Sequence, residues 1–314
     1  PGEGTMMVDT LRPREPSGRR IPTPSHPHQK PLAVKCPACR ELLCYHDYEK
    51  NLKVCPVCDY HFRLTAYERI HLLVDPDSFV EIDVDFPATN LSQDLDQSQA
   101  YREHLPEEQD GSLTGDPVRL NKTVVAGYAS IECQPLVLAI MSAHPLRGGT
   151  ETAVSEKITR TVETAIERHL PLFISSASAG MRAQRGVPTI MQMAKTSAAM
   201  AALGRAGLPY ISLLTDPTSG GIAASFAMLG DVLLAESGTL ICLGNLPPFE
   251  QDRTVKPLEG ATTADILFQH GLLDAVVPRR KLRNTLAQLL RLYALDETKN
   301  RLPLRTTANF PVNF

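Results

Sequence analysis

The segment Leu172-Phe173-Ile174-Ser175-Ser176-Ala177-Ser178-Ala179-Gly180, with Pro209-Tyr210-Ile211-Ser212-Leu213-Leu214 and Thr215-Asp216-Pro217-Thr218-Ser219-Gly220-Gly221 further on, decides the fold. Leu172 to Ile174 reads as a short buried strand that runs into the small residues Ser175 to Gly180. Ile190 to Leu203 then carries a helical pattern that ends at Gly204 and Gly207. Pro209 to Leu214 is the next strand, and 215–221 the next small-residue turn. The unit repeats as strand, turn and helix, which is the texture of an α/β domain.

Outward from this repeat the same texture continues. Upstream, Thr123 to Ile131 and Leu136 to Met141 read as neighbouring strands. Val154, Ile158, Val162, Ala165, Ile166 and Leu170 then form the apolar stripe of a helix with Glu and Arg on its outer face. Downstream, Ile222 to Leu229 is helical by pattern, Thr239 to Leu243 and Asp274 to Val277 are late strands, and Lys281 to Tyr293 is a Leu-rich closing helix. Towards the N-terminus lie a helical stretch from Leu64 to Val74 and a polar, acidic stretch from Asn90 to Asp116. Residues 1–31 hold Pro13, Pro16, Pro22, Pro24, Pro27 and Pro31 with little apolar area, the composition of a flexible tail. The expected organisation is therefore a tail (1–31), a cysteine-bearing module (32–62), a helical and acidic linker (63–116), a large domain (117–300) and a C-terminal tail (301–314).

The 314 residues are 43% hydrophobic, so the chain can bury a sizeable core. Lys and Arg number 32 against 35 Asp and Glu, a net charge of -3 that gives no global field for nucleic acid as the main partner. No apolar run reaches the ~18 residues of a membrane span, and no apolar leader opens the sequence. The expectation is a soluble, cytoplasmic protein with no membrane partner.

Seven cysteines are an odd number, and four of them form two C-x-x-C pairs. Cys36 and Cys39 are separated from Cys55 and Cys58 by fifteen residues (40–54), the spacing of a tetrahedral four-cysteine zinc site. Pro37 and Pro56 suit the tight turn each pair requires. Four thiolates leave no open coordination position, so the zinc is expected to be structural. Cys44, Cys133 and Cys242 have no such spacing and read as packing residues.

The two small-residue turns carry the other candidate chemistry. Backbone N–H groups are unpaired where a strand turns into a helix, and they favour a developing negative charge. Ala179 and Gly180 lie at the first such corner and Gly220 and Gly221 at the second, so two donors can converge on one carbonyl oxygen. A glycine at such a turn is also ordinary turn chemistry. There is no G-x-S-x-G elbow, P-loop, Rossmann fingerprint or H-E-x-x-H, so the simplest hydrolase, nucleotidase, dehydrogenase and metalloprotease readings lose their support. His144 and Glu151 flank Arg147-Gly148-Gly149 in a polar turn and read as solvated loop residues.

Taken together, the cysteine spacing, Ser178-Ala179-Gly180-Met181-Arg182, Met191-Gln192-Met193-Ala194-Lys195-Thr196, Gly207-Leu208-Pro209-Tyr210-Ile211-Ser212 and 215–231 resemble the β subunit of bacterial acetyl-CoA carboxylase carboxyltransferase. The resemblance spans about residues 33 to 292. It implies a crotonase-like spiral of ββα units with an N-terminal zinc ribbon, and enolate chemistry on an acyl thioester. It assigns the amides of Ala179 and Gly180 to the thioester oxygen. Gly220 and Gly221 remain the candidates at the second corner, and Arg147, Gly148, Gly149 and Arg182 are the candidate substrate-binding residues. Three segments depart from the family pattern. Its Ser-Gly-Gly-Ala-Arg is replaced by residues 178–182, its Met-Gly-Gly-Ser-Met-Gly by Arg147-Gly148-Gly149-Thr150-Glu151-Thr152, and its Gly-Pro-Arg-Val-Ile-Glu-Gln by residues 244–251.

These departures cluster on the side where the family receives biotin and the α subunit. The first expectation is therefore a biotin-independent decarboxylase of a malonyl-type thioester, carried on CoA or acyl carrier protein. The alternative is a carboxyltransferase β subunit that takes a carboxyl group from carboxybiotin and works with an α subunit. A non-catalytic paralogue serving as a scaffold is the third reading, and a homo-oligomer is the other assembly considered.

Overall fold

The computed structural model describes residues 32–82, 123–142, 150–178, 187–242 and 262–297. The N-terminal part holds a two-stranded antiparallel sheet, β1 (Ala33–Lys35) and β2 (Leu42–Cys44), followed by the short helix α1 (Tyr45–Lys50). With so few residues its core is small. Tyr48 and Phe62 meet edge-on at 4.8 Å and Tyr60 stands 5.1 Å from Phe62, around the buried Leu43, Cys36 and Cys55. An aromatic cluster of that size needs a metal or a neighbouring surface to hold it.

Helix α2 (Ala66–Leu73) starts at Thr65, whose hydroxyl accepts from the Glu68 amide while the Glu68 carboxylate accepts from the Thr65 amide. This capping box fixes the entry of the chain into the large domain. Ala66, Ile70 and Leu73 pack in one core with Val125, Leu138, Phe173 and Leu286, so the helix lies on the main sheet.

Among the described residues the main sheet has nine strands. β3 (Val80–Glu81), β4 (Val124–Ile131) and β5 (Gln134–Met141) are antiparallel neighbours, whereas β5, β6 (Leu172–Ser178), β7 (Tyr210–Ser219) and β8 (Val232–Glu236) run parallel. The sheet is completed by β9 (Leu240–Cys242), β10 (Thr262–Thr263) and β11 (Ala275–Val277). Helix α3 (Thr150–Arg168) follows the β4–β5 hairpin, and α4 (Val187–Arg205) connects β6 to β7. The short α5 (Ala264–Gln269) precedes β11, and α6 (Arg279–Glu297) closes the described chain. Alternation along the strands splits the core into two layers. Val137, Ala139 and Met141 face Val154, Ile158 and Val162 of α3, while Leu138, Ile140 and Phe173 face Ile70 of α2 and Leu282 and Leu286 of α6.

Strand β7 is unusually informative. Its first half, Ile211–Leu214, pairs with β8, and its second half, Thr218–Ser219, pairs with β9. The stretch 215–219, expected as a turn, is instead strand and buried throughout. Likewise β6 does not stop at Ile174 but runs to Ser178. The reason is hydroxyl chemistry. Thr215 and Thr218 both donate to the Ser176 carbonyl, at 2.8 and 3.0 Å, and Ser219 donates to the Ser178 carbonyl at 3.2 Å. Small polar residues that satisfy one another across neighbouring strands can be buried without apolar periodicity.

The segment Ile222–Leu229, expected as a regular helix, also differs. Gly220–Ile222 forms a single helical turn and Ala223–Ala227 widens into a π-helical turn. Three side chains take up its carbonyls. Ser197 donates to Ser225 at 2.7 Å, Tyr210 to Phe226 at 3.1 Å and Ser212 to Ala227 at 2.6 Å. Such turns recur at functional sites because they displace backbone from its regular register.

Candidate functional site

Two chain crossings lie at the C-terminal ends of β6 and β7. The first leaves β6 at Ser178 and the second leaves β7 at Ser219, and the Ser219 hydroxyl joins them by its bond to Ser178. The residues expected to supply amides therefore begin from adjacent positions. Gly220 is buried and has φ of 65°, a left-handed conformation that disfavours a side chain, and Gly221 follows it in the helical turn. Ala179, Gly180 and Arg182 lie outside the described residues, as do Arg147, Gly148, Gly149 and residues 244–251.

The four cysteines gather in the N-terminal ribbon. The sulfurs of Cys36, Cys39, Cys55 and Cys58 all lie within 4.8 Å of one another. Two separations that cross between the pairs, Cys36 to Cys58 and Cys39 to Cys55, are both 3.7 Å. Four thiolates at ~2.3 Å from a central zinc have an edge of ~3.8 Å, so the donor set fits the metal. The two pairs are also built alike. Cys36 N–H donates to Glu41 and Arg40 N–H to Cys36, and in the second pair Cys55 N–H donates to Tyr60 and Asp59 N–H to Cys55. Arg40 and Asp59 each take a positive φ, 64° and 54°, where the loop turns back. Sequence spacing found this arrangement because both knuckles are local.

A second polar cluster, which the sequence did not point to, fastens the ribbon to the sheet. Glu236 at the end of β8 is 2% exposed, and both of its oxygens are doubly engaged. Arg69 of α2 donates to Oε1 at 2.9 Å and Oε2 at 3.1 Å, and Arg279 of α6 donates to the same atoms at 2.9 Å each. Burial alone would raise the Glu236 carboxyl, but the two guanidiniums hold it far below the usual carboxylate range. Arg279 also donates to the carbonyls of Leu52 (2.9 Å), Lys53 (3.1 Å) and Phe62 (2.8 Å). Three residues separated by more than 40 positions meet here, so no local spacing announces them.

The ribbon's last residues complete a small cavity with these charges. His61, Arg63 and Leu64 line one side, and Ala177, Thr215 and Asp216 the other. Arg63 Nε stands 3.7 Å from Asp216 Oδ2, while Asp216 Oδ1 accepts from the Leu240 amide at 3.0 Å. His61 is buried with Nδ1 4.0 Å from Glu236 Oε2, and burial pushes its pKa down. The neutral imidazole is therefore its folded form near neutral pH. The geometry brings the ends of β6 and β7 side by side, with His61, Arg63 and Leu64 against Ala177, Thr215 and Asp216 near those ends. Among the described residues no helix is long and apolar enough to cross a membrane.

Comparison with known proteins agrees with this architecture. The model of the carboxyl transferase domain family matches residues 61–250. The acetyl-coenzyme A carboxylase carboxyl transferase subunit beta of Desulforamulus reducens is 42% identical over 265 residues, covering 84% of this chain and 88% of the relative. The subunit of the same name from Pelotomaculum thermopropionicum is 44% identical over 84% of this chain and 90% of its own length. Among solved structures, transcarboxylase 12S superposes with a TM-score of 0.55 at 20% identity, covering 78% of this chain and 43% of that one. A Pseudomonas malonate decarboxylase hetero-tetramer in complex with malonate gives 0.50 at 21% identity, covering 74% and 82%. At such identities these two likenesses concern the fold, which is α/β and crotonase-like. The family match and the full-length relatives together place the chain in the acetyl-CoA carboxylase carboxyltransferase β-subunit family.

Proposed function

We propose that this chain is the β half of a carboxyltransferase that makes an acetyl-thioester enolate and works with an α partner. The observation that carries the reading is the match to β subunits along 84% of the chain, which leaves little of either protein unaccounted for. It supports this reading better than the biotin-independent decarboxylase expected first. The amides of Ala179 and Gly180, with the second corner at Gly220 and Gly221, are assigned to the thioester oxygen. Loss of a proton from the α-carbon moves the electron pair towards that oxygen, and fixed N–H donors lower the barrier because they need no reorganisation. Carboxybiotin would supply the carboxyl group: the bond from the α-carbon to the carboxyl carbon forms as the biotin N–carboxyl bond breaks, and the proton lost from the α-carbon is balanced by the one the released biotin nitrogen takes up. Arg147, Gly148, Gly149 and Arg182 are assigned to substrate binding. Zinc, held by the four thiolates, keeps the ribbon folded and takes no part in bond making.

The test separates the two reactions. The chain alone and the chain with an α partner are each given malonyl-CoA with and without free biotin, and acetyl-CoA and released CO2 are followed. Turnover that requires both the α partner and biotin supports the proposal. CO2 release by the chain alone at the same rate, indifferent to biotin, overturns it in favour of the decarboxylase.

A further inference from the structure

The Arg279 guanidinium has five N–H donors, and each has a partner. Two go to Glu236 on the sheet and three to ribbon carbonyls, so one side chain, itself 2% exposed, spans the junction. Glu236 in turn accepts four bonds, two from each arginine, which fills the capacity of a carboxylate. The three carbonyls are not scattered. Leu52 and Lys53 precede the Cys55–Cys58 knuckle and Phe62 follows it, and a backbone bridge between Val54 and His61 holds the two sides together. Leu52 and Lys53 both take φ of 56°, a paired left-handed turn that aims successive carbonyls at one guanidinium. The acceptors for Arg279 thus flank the closed knuckle on both sides.

On the other side the same residues reach the strand ends. Glu236 closes β8, which pairs with β7, and Arg63 beside the ribbon faces Asp216 of β7, three residues before Ser219. We propose that Arg279 is a positioning residue that docks the ribbon through Glu236 and Arg69, and that metal loading of the four cysteines is thereby coupled to substrate handling at the ends of β6 and β7. This rests on the zinc and carboxyltransferase readings above. Opening the knuckle withdraws three acceptors from a buried cation, and the position of Glu236 and the β7 end changes with it. In the other direction, loss of the fork frees the knuckle.

Arg279→Lys is the decisive variant, because an ammonium keeps the charge but cannot bond in one plane to Glu236 and three carbonyls. Arg279→Met is the second, and Arg283→Lys on the same helix, facing Asp75 at the surface, is the control. Three quantities are read on the full chain, with the α partner for the last: zinc transfer to a chromogenic chelator, hydrogen exchange of amides 52–63 against 211–214, and kcat and KM for the acetyl thioester. In Arg279→Lys zinc transfer is expected to quicken at least tenfold, exchange at 52–63 to rise while 211–214 stays protected, and kcat or KM to worsen at least fivefold with zinc bound. Zinc transfer and ribbon exchange within twofold of wild type in folded Arg279→Lys or Arg279→Met overturn the docking. Faster zinc transfer with unchanged kcat and KM overturns the coupling. The first two readouts need no turnover, so a failed carboxyltransferase reading and a failed docking proposal give different results.

Discussion

The hydroxyl of Ser219 donates to the carbonyl of Ser178 at 3.2 Å, so the last residues of two parallel strands are tied to each other. Each is followed by a small-residue corner, 179–180 and 220–221. That single bond joins two strand ends that 41 positions of sequence separate. Thr215 and Thr218 reinforce it from within β7 by their bonds to Ser176.

If the amide at Gly180 faces the thioester oxygen, Gly180→Pro removes a donor and lowers kcat about 10²–10³-fold, while Gly180→Ala keeps the donor and most of the rate. Both proteins are to be compared at equal folded fraction by circular dichroism. Activity of Gly180→Pro above about a tenth of wild type is incompatible with the magnitude of a lost oxyanion donor.

The metal content should be about one zinc per chain, since four thiolates make one tetrahedral site. Cys36→Ser and Cys55→Ser are expected to lose metal and solubility together. Exchange of zinc for cobalt should leave turnover unchanged while giving the absorption of a tetrahedral thiolate site. A large rate change on exchange would falsify the structural assignment.

Acid should weaken the fold through His61. Burial is the main cause of its lowered pKa; Arg279 and Arg69 push the same way and Glu236 opposes them. With the folded pKa below the unfolded value of ~6.5, the unfolded chain binds more protons between the two. The contribution is therefore complete above about pH 6.5 and is lost as the pH falls towards the folded pKa. Urea midpoints between about pH 7.5 and 5.5 should fall less in His61→Gln than in wild type, and parallel profiles would exclude His61 as the source.

Gly127 leaves no room for a side chain. A Cβ there would stand 2.4 Å from the Val80 carbonyl oxygen and 2.6 Å from the Phe79 ring, both on the segment that leads through β3. Gly127→Ala should destabilise the fold by about 1–3 kcal/mol through overpacking. The change is to be measured as a lower urea midpoint at constant m; an unchanged midpoint would show that β3 yields without cost.

What the sequence by itself determined was whatever is encoded over a few residues. The C-x-x-C spacing announced a metal site because each knuckle is built from its own five residues, and both knuckles repeat the same backbone bonds. Apolar alternation and helical spacing located β4, β5, α3, α4 and α6, whose core faces are continuous stripes. The later halves of β6 and β7 escaped because Ser and Thr can be buried in a strand only when a neighbouring strand offers carbonyls, and that neighbour is distant in sequence. β8, β10 and α5 were missed as well, and each is too short for its period to show. The junction of Arg69, Glu236 and Arg279 was decided by the tertiary structure alone. Three isolated charges read as solvent-facing until the fold buries them, and only mutual bonding makes that burial tolerable.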